Sequence, residues 1–308
     1  MTDERRREAA VYLPALAHPI RRIGARTFDF ERQVAVMAVV NRTPDSFYDR
    51  GATFALEKAI EAATRAEAEG ADWVDIGGVP FSPGPALPVE DELARVLPVI
   101  EGLRAVSNVV ISVDTFQAEV ARRAIAAGAD VVNDTTGLHD PALAEAVADS
   151  EATLVITHSL ASPRTQYPRP HYDDVAGEIA AFLHSRVELA VSLGVPAERI
   201  IVDPGHDLNK NTLQTLELTR RFAEIAALGL PALAAVSNKD FIGETLDAER
   251  GDRLEGSLAA AVFCIVQGAR IVRMHNVRES VAAVRMTEAI LGFRQPAYTR
   301  HNMGDANE

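Results

Sequence analysis

Apolar runs rich in β-branched residues recur along the chain, and each is followed by a stretch with helical periodicity. The runs are "QVAVMAVVN" (33–41), "DWVDIGG" (72–78), "VVISVDT" (109–115), "VVNDT" (131–135), "TLVITHS" (153–159), "IIVDPG" (200–205), "PALAAVS" (231–237) and "RIVRMHN" (270–276). Between them lie amphipathic segments such as "ALEKAIEAATRAEAEG" and "DVAGEIAAFLHSRVELAVSLG". Several end in glycine just before the next run, as in "AEGADWVD", "AAGADVVND" and "VQGARIVR", which is helix C-cap chemistry followed by a buried parallel strand. Eight such units predict a (β/α)8 TIM barrel, with the doubly wound open sheet as the alternative. No Pro-, Gly- or Ser-rich linker divides the chain. The expected organisation is a single domain: a short N-terminal extension (1–30) packed across the barrel bottom, a barrel over 31–294, and a frayed polar tail over 295–308.

The strands stay apolar until their last residues, and there the character changes. Asn41, Asp75, Asp114, Asn133, Asp134, His158, Asp203, Lys239, Arg273 and His275 stand at or near the C-terminal ends. One polar strand end has a plain explanation in capping the next helix. Polar residues at nearly every end point to a site, because that face of a barrel is where sites are built. Asp114, Asp203 and Asn133 can pair with the N–H and amino groups of a flat heterocycle, and Lys239 can donate to its ring nitrogen or carbonyl. Arg273 and His275, two apart on one strand, point the same way and can both donate to a phosphate. The side-chain oxygen of Asn41 suits Mg²⁺, a hard cation that travels with pyrophosphate. A heterocycle joined to a diphosphate satisfies the whole set.

Composition narrows the picture. A hydrophobic content of 47% provides ample core material, and no apolar run approaches the roughly 18 residues of a membrane span. The formal charge of −13 argues against sequence-independent nucleic-acid binding, which needs a basic footprint. The lone cysteine, Cys264, sits among apolar residues, which fits a reducing cytoplasm and an inert thiol; the N-terminus does not read as a signal peptide. The eight histidines show no metal-ligand spacing, which speaks against a catalytic zinc.

The segment "MAVVNRTPDSFYDRG" resembles the N-x-T-P-D-S-F motif of the dihydropteroate synthase family. The resemblance continues through "DIGG", "ISVDT", "VNDTTG", "VDPG" and "RMHNVRES", from about Val34 to Leu291. That family condenses a dihydropterin methyl diphosphate with p-aminobenzoate on a TIM barrel, with Mg²⁺, and releases pyrophosphate for folate biosynthesis. The resemblance implies a pterin site at Asp114, Asn133, Asp203 and Lys239, and Asn41 as the residue that holds Mg²⁺ or diphosphate. It implies that Arg273 and His275 bind the departing diphosphate, so that Lys239, Arg273 and His275 are the catalytic candidates. It also implies a homodimer.

The acceptor side departs from the family. After "DIGG" the family has E-S-T-R-P-G, whereas Val79, Pro80, Phe81 and Ser82 stand here in place of the tetrad that closes over diphosphate and aminobenzoate. Asn238 replaces the arginine of the S-R-K motif, and Asp240 replaces the serine that receives the aminobenzoate carboxylate at a helix N-terminus. "GHDLNKN" after strand six replaces a pattern richer in glycine and aromatic residues, putting His206 and Asp207 near the pterin pocket. If Asp240 faces the acceptor, two carboxylates about 4 Å apart repel by roughly 4 kcal/mol at an effective dielectric near 20, well above the 0.3–1 kcal/mol a helix N-terminus offers. The alternative is that Asp240 turns away and caps its own helix. Arg42 is either a replacement cation for diphosphate or a solvent-facing residue. "SPRTQYPRPHY" (162–172) reads as the loop after strand five, and His158 as a satisfied strand-end histidine. The expected protein is a transferase that uses an acceptor other than p-aminobenzoate; the alternatives are a non-catalytic pterin-binding or regulatory homologue and, third, an ordinary synthase.

Overall fold

The computed structural model describes residues 13–41, 52–79, 84, 85, 87–167 and 169–302, with the side chains of Asn41 and of residues 52–55 outside that set. Eight strands close a parallel barrel: β3 (Ala35–Asn41), β4 (Trp73–Gly77), β5 (Val110–Asp114), β6 (Val131–Asp134), β7 (Thr153–Thr157), β8 (Ile200–Asp203), β9 (Ala232–Ala234) and β10 (Ala269–Met274). β10 pairs with β3 to complete the ring. Outside it run α1 (Ala52–Ala68), α2 (Val89–Arg104), α3 (Ala118–Ala126), α4 (Ala142–Ala148), α5 (Val175–Ser192), α6 (Thr212–Arg220), α7 (Phe222–Ala226), α8 (Asp240–Leu246), α9 (Leu254–Val266) and α10 (Val277–Ile290). The TIM barrel expected from the pattern is the observed fold.

The segment ahead of the barrel holds structure that the apolar-run pattern does not reveal. β1 (Ile20–Ile23) and β2 (Arg26–Asp29) form an antiparallel hairpin. Phe28 and Phe30 stack at 5.6 Å, and Phe28 meets Trp73 edge-on at 5.8 Å. These aromatics join Met37, Trp73, Val110, Val131, Val155, Ile201, Leu233 and Ile271 in one buried cluster. The hairpin therefore plugs the end of the barrel where the strands begin. β1 escapes a periodicity reading because each of its faces carries one isoleucine and one arginine: Ile20 (68% exposed) and Arg22 point outward, Arg21 and Ile23 inward.

Strand geometry then dictates the other end. Successive side chains alternate faces, so the residue two positions after each inward apolar residue also points inward. Those positions hold Asp75, Ser112, Asn133, Thr157, Asp203 and Arg273, all but Arg273 buried. Register sets their neighbours: Asp75 lies beside Ser112, Asp114 beside Asn133, and Thr157 beside Asp203. A dry apolar layer thus supports a polar layer one pleat higher.

Candidate functional site

The polar layer is the floor of a cavity of about 900 Å³ that opens at the C-terminal ends of the strands. Asp114, Asn133, Asp203, Lys239, Arg273 and His275 all line it, so the structure brings together every described side chain expected there.

One wall is organised by Asp75, a strand-end residue to which the sequence pattern gave no ligand role. Asp75 is fully buried, and its carboxylate accepts from Arg273 Nε at 2.7 Å, Ser112 Oγ at 2.6 Å and Asn133 Nδ2 at 3.2 Å. Arg273 Nη2 also lies 3.5 Å from Asp114 Oδ2. Burial works against the Arg273 charge, but Asp75 and Asp114 outweigh it and hold its pKa above the usual value. Burial, and then the negative charge of Asp75, pushes Asp114 up to about 7. A charged residue in the middle of an otherwise apolar strand was the available signal for Asp75. Because Asn133 spends its amide N–H₂ on Asp75, its Oδ1 remains as an acceptor, and that atom is buried with no partner among the described residues. Thr157 Oγ1, also on the cavity wall, is in the same state. Buried polar atoms left unpaired cost about 1–3 kcal/mol each, so both are poised for groups that a ligand supplies.

The opposite wall comes from the β8 and β9 ends. Asp203 accepts from Gly205 N at 2.7 Å, and burial raises its pKa to about 6 despite Lys239. Gly205 has φ +67°, and a Cβ there would collide with the His158 carbonyl, so the tight exit from β8 requires glycine. Burial lowers the pKa of Lys239, partly offset by Asp207. Lys210, missed by the sequence reading, is buried beneath this loop, with Nζ 3.0 Å from His158 Nδ1, 2.9 Å from the Gly205 carbonyl and 2.8 Å from the Leu208 carbonyl. His158 is the satisfied strand-end histidine expected, held neutral by burial and by Lys210. His275 Nδ1 lies 3.0 Å from Ser237 Oγ, and burial takes its pKa down to about 4, so it is an uncharged donor or acceptor at neutral pH. His206 packs between Phe222 and Phe241 at 6.0 and 6.3 Å, which makes its ring part of the core.

At the acceptor half Asp240 turns away, as the alternative reading had it, but it does not cap its helix. Its side chain neither faces an acceptor nor caps α8: it is 67% exposed, and its Oδ1 pairs with Arg253 Nη1 at 2.9 Å. The carboxylate at the start of α8 belongs to Asp207. Its Oδ2 accepts from the backbone N–H groups of Asp240 at 2.6 Å and Phe241 at 3.2 Å. Asp207 reaches them from a left-handed backbone, φ 64°, a conformation that aspartate tolerates better than most residues. Asn209, at φ 52°, does similar work on the other side: its Oδ1 accepts from Ser159 Oγ, Leu160 N and Ala161 N. The loop after β7 then crosses the mouth, where Gly84 N donates to the Arg164 carbonyl at 3.0 Å.

Arg42, Pro80, Phe81, Ser82 and the side chain of Asn41 lie outside the described residues. Among the described residues no group of three or more His, Cys, Asp and Glu side chains is arranged to hold a metal. Asp114 faces Arg273 and Asp203 accepts from Gly205, so these residues by themselves do not form a Mg²⁺ site.

Comparison with known proteins follows this geometry. Residues 37–275 match the family described as pterin binding enzyme. The inactive dihydropteroate synthase 2 of Mycobacterium leprae is 47% identical over 279 residues, spanning 87% of this chain and 94% of that one. The dihydropteroate synthase of Escherichia coli is 38% identical over 261 residues, spanning 84% and 93%. The structure of Xanthomonas albilineans dihydropteroate synthase with 4-aminobenzoic acid superposes with a TM-score of 0.82 at 39% identity, over 89% of this chain and 98% of that one.

Proposed function

Because the chain belongs to the pterin binding enzyme family, as a divergent homologue of dihydropteroate synthase, we propose that it binds a pterin in the barrel mouth without condensing it with p-aminobenzoate. The observation that carries this reading is the Asp207 carboxylate on the first N–H groups of α8. That is where the resemblance puts the carboxylate of the acceptor. A second carboxylate brought within about 4 Å meets roughly 4 kcal/mol of repulsion at an effective dielectric near 20, or about a thousandfold in affinity. The pterin half has no such obstacle. Asp203 and Asp114 accept from ring and amino N–H groups, Asn133 Oδ1 and Thr157 Oγ1 gain the partners they lack, and Lys239 donates to a ring acceptor. Relatives named as inactive synthases support the same reading.

Arg273 and His275 then fall to the diphosphate end, with Asn41 and a Mg²⁺ held largely by diphosphate oxygens and water. Arg273 already faces two carboxylates and His275 is neutral, so little positive charge is left to stabilise a departing diphosphate. Calorimetry with hydroxymethyl-dihydropterin and p-aminobenzoate, offered separately, tests the reading. Saturable binding is expected for the pterin only, together with no pyrophosphate release from dihydropterin methyl diphosphate, Mg²⁺ and p-aminobenzoate. Formation of dihydropteroate would overturn it. Release with another amine would instead establish a transferase with a different acceptor.

The protein works in the cytoplasm, in keeping with its buried thiol, and as a homodimer through α9. On α9 the side chain of Phe263 is 44% exposed within a helix that is apolar nearly all round. Phe263→Asp is expected to convert the dimer to a monomer in sedimentation experiments; an unchanged mass would exclude α9 as the interface.

A further inference from the structure

The turn that carries Lys239 joins β9 to α8 and has no ladder or helix of its own to fix it; Asn238 within it has φ 57°. Side chains from elsewhere hold its backbone instead. Ser257 Oγ, in the first turn of α9, accepts from Asn238 N at 3.0 Å. Arg253 Nη1 donates to the carbonyls of Asn238 and Lys239, both at 3.1 Å, and Asp207 takes the N–H groups of Asp240 and Phe241. Arg253 reaches further: its Nε donates to the Ala248 carbonyl at 3.0 Å, two residues past the end of α8, and its Nη1 to Asp240 Oδ1 at 2.9 Å. One guanidinium, in a side chain only 11% exposed, therefore straddles α8 from the turn before it to the residues after it. It crosses the helix at Gly243, where a Cβ would collide with Nη2, Cζ and Nε of Arg253. A glycine inside a helix is otherwise a poor choice, and this crossing is its reason.

We propose that Arg253 is a positioning residue for ligand recognition: with Gly243 as its seat, it fixes the turn that presents Lys239 to the cavity and does not touch the ligand itself. The inference rests on the pterin reading above and adds the device that aims one of its donors. Among the described residues Lys239 lines the cavity and Arg253 does not. A long lysine side chain finds a ring acceptor only if the backbone beneath it stays put, and a shift of about 1 Å is enough to spoil such a contact. The planar fork of arginine donates along several directions at once, which is what bridging Asn238, Lys239, Asp240 and Ala248 demands. Asp240 thereby acquires a role of its own. It is an outlying charge partner for Arg253, 67% exposed, so the carbonyls and the glycine seat do most of the holding.

Titration calorimetry of the full chain with hydroxymethyl-dihydropterin tests this. Arg253→Met is expected to weaken binding at least about tenfold, and to weaken it no further once Lys239→Met is already in place. Gly243→Ala keeps every hydrogen-bonding group and favours the helix, yet it should cause a similar loss by displacing the guanidinium. Asp240→Ser removes only the exposed partner and should change the affinity less than about threefold. A loss from Arg253→Met that is the same with and without Lys239, or wild-type affinity in Gly243→Ala, would overturn the positioning role and leave the pterin reading standing. Reductive methylation of Lys239 in the ligand-free protein, read by mass spectrometry against Lys58, supplies a measure independent of the pterin. Its rate should rise at least about threefold in Arg253→Met, as a loosened turn opens more often. Should the wild type bind no hydroxymethyl-dihydropterin, the pterin reading falls and the methylation rate alone decides: a rise upholds the positioning of Lys239, and an unchanged rate overturns it.

Discussion

Replacing Asp203 by asparagine is expected to weaken pterin binding by two orders of magnitude or more and yet make the ligand-free protein more stable at neutral pH. The loss follows from the acceptor it removes. Hydrogen bonds from ring N–H groups to an ionised carboxylate contribute about 1.5–3 kcal/mol each, and an amide offers one oxygen and turns its N–H₂ toward donors. The gain follows from linkage. Asp203 is 4% exposed and burial holds its pKa at about 6, against about 3.9 in an unfolded chain. Between those values the unfolded state has lost the proton and the folded state keeps it, so stability falls as pH rises. The cost is absent below about pH 4 and complete above about pH 6, where it reaches roughly 3 kcal/mol. Asparagine keeps an oxygen for Gly205 N and carries no charge. Urea denaturation of wild type and variant across that pH range should show curves that meet in acid and separate toward neutrality. Undiminished pterin affinity would remove Asp203 from the pocket, and a variant less stable at neutral pH would refute the electrostatic account.

Asp75→Ala is expected to destabilise the fold by about 3–5 kcal/mol, the cost typical of removing one partner of a buried ion pair. The carboxylate is wholly buried and receives Arg273, Ser112 and Asn133. Without it the one ion pair left to Arg273 among the described residues is with Asp114, at 3.5 Å, and the Ser112 hydroxyl and Asn133 amide lose their acceptor. Asp75→Leu combined with Arg273→Met should recover much of the loss, since a packed apolar pair often matches a buried ion pair in stability. The double variant should still bind no diphosphate. Chemical denaturation of the three proteins checks this, and a cost under about 1 kcal/mol for Asp75→Ala would show that the pair does not organise the wall.

Asn133 Oδ1 and Thr157 Oγ1 are buried without partners among the described residues, and the first N–H groups of α8 are already taken by the Asp207 carboxylate. The self-capping depends on a small backbone detail. At φ 64° the residue after His206 can swing its carboxylate onto α8, and aspartate both tolerates that conformation and supplies the oxygen.

The amino-acid order by itself determined the barrel and most of its polar floor. Alternation along a strand is a local property of the backbone, so apolar runs ending in Asp114, Asn133, Asp203 or Arg273 declare both the element and the end at which function is built. Only the tertiary structure decided the partnerships. Asp75 and Arg273 are 198 positions apart and meet because β10 closes against β3, next to β4. Asp207 reaches the start of α8 across 33 positions, and Asp240 turns outward because Arg253, held by backbone carbonyls, awaits it there. Strand periodicity is written residue by residue, whereas the choice among rotamers and loop conformations is settled by whichever distant group offers the stronger hydrogen bond.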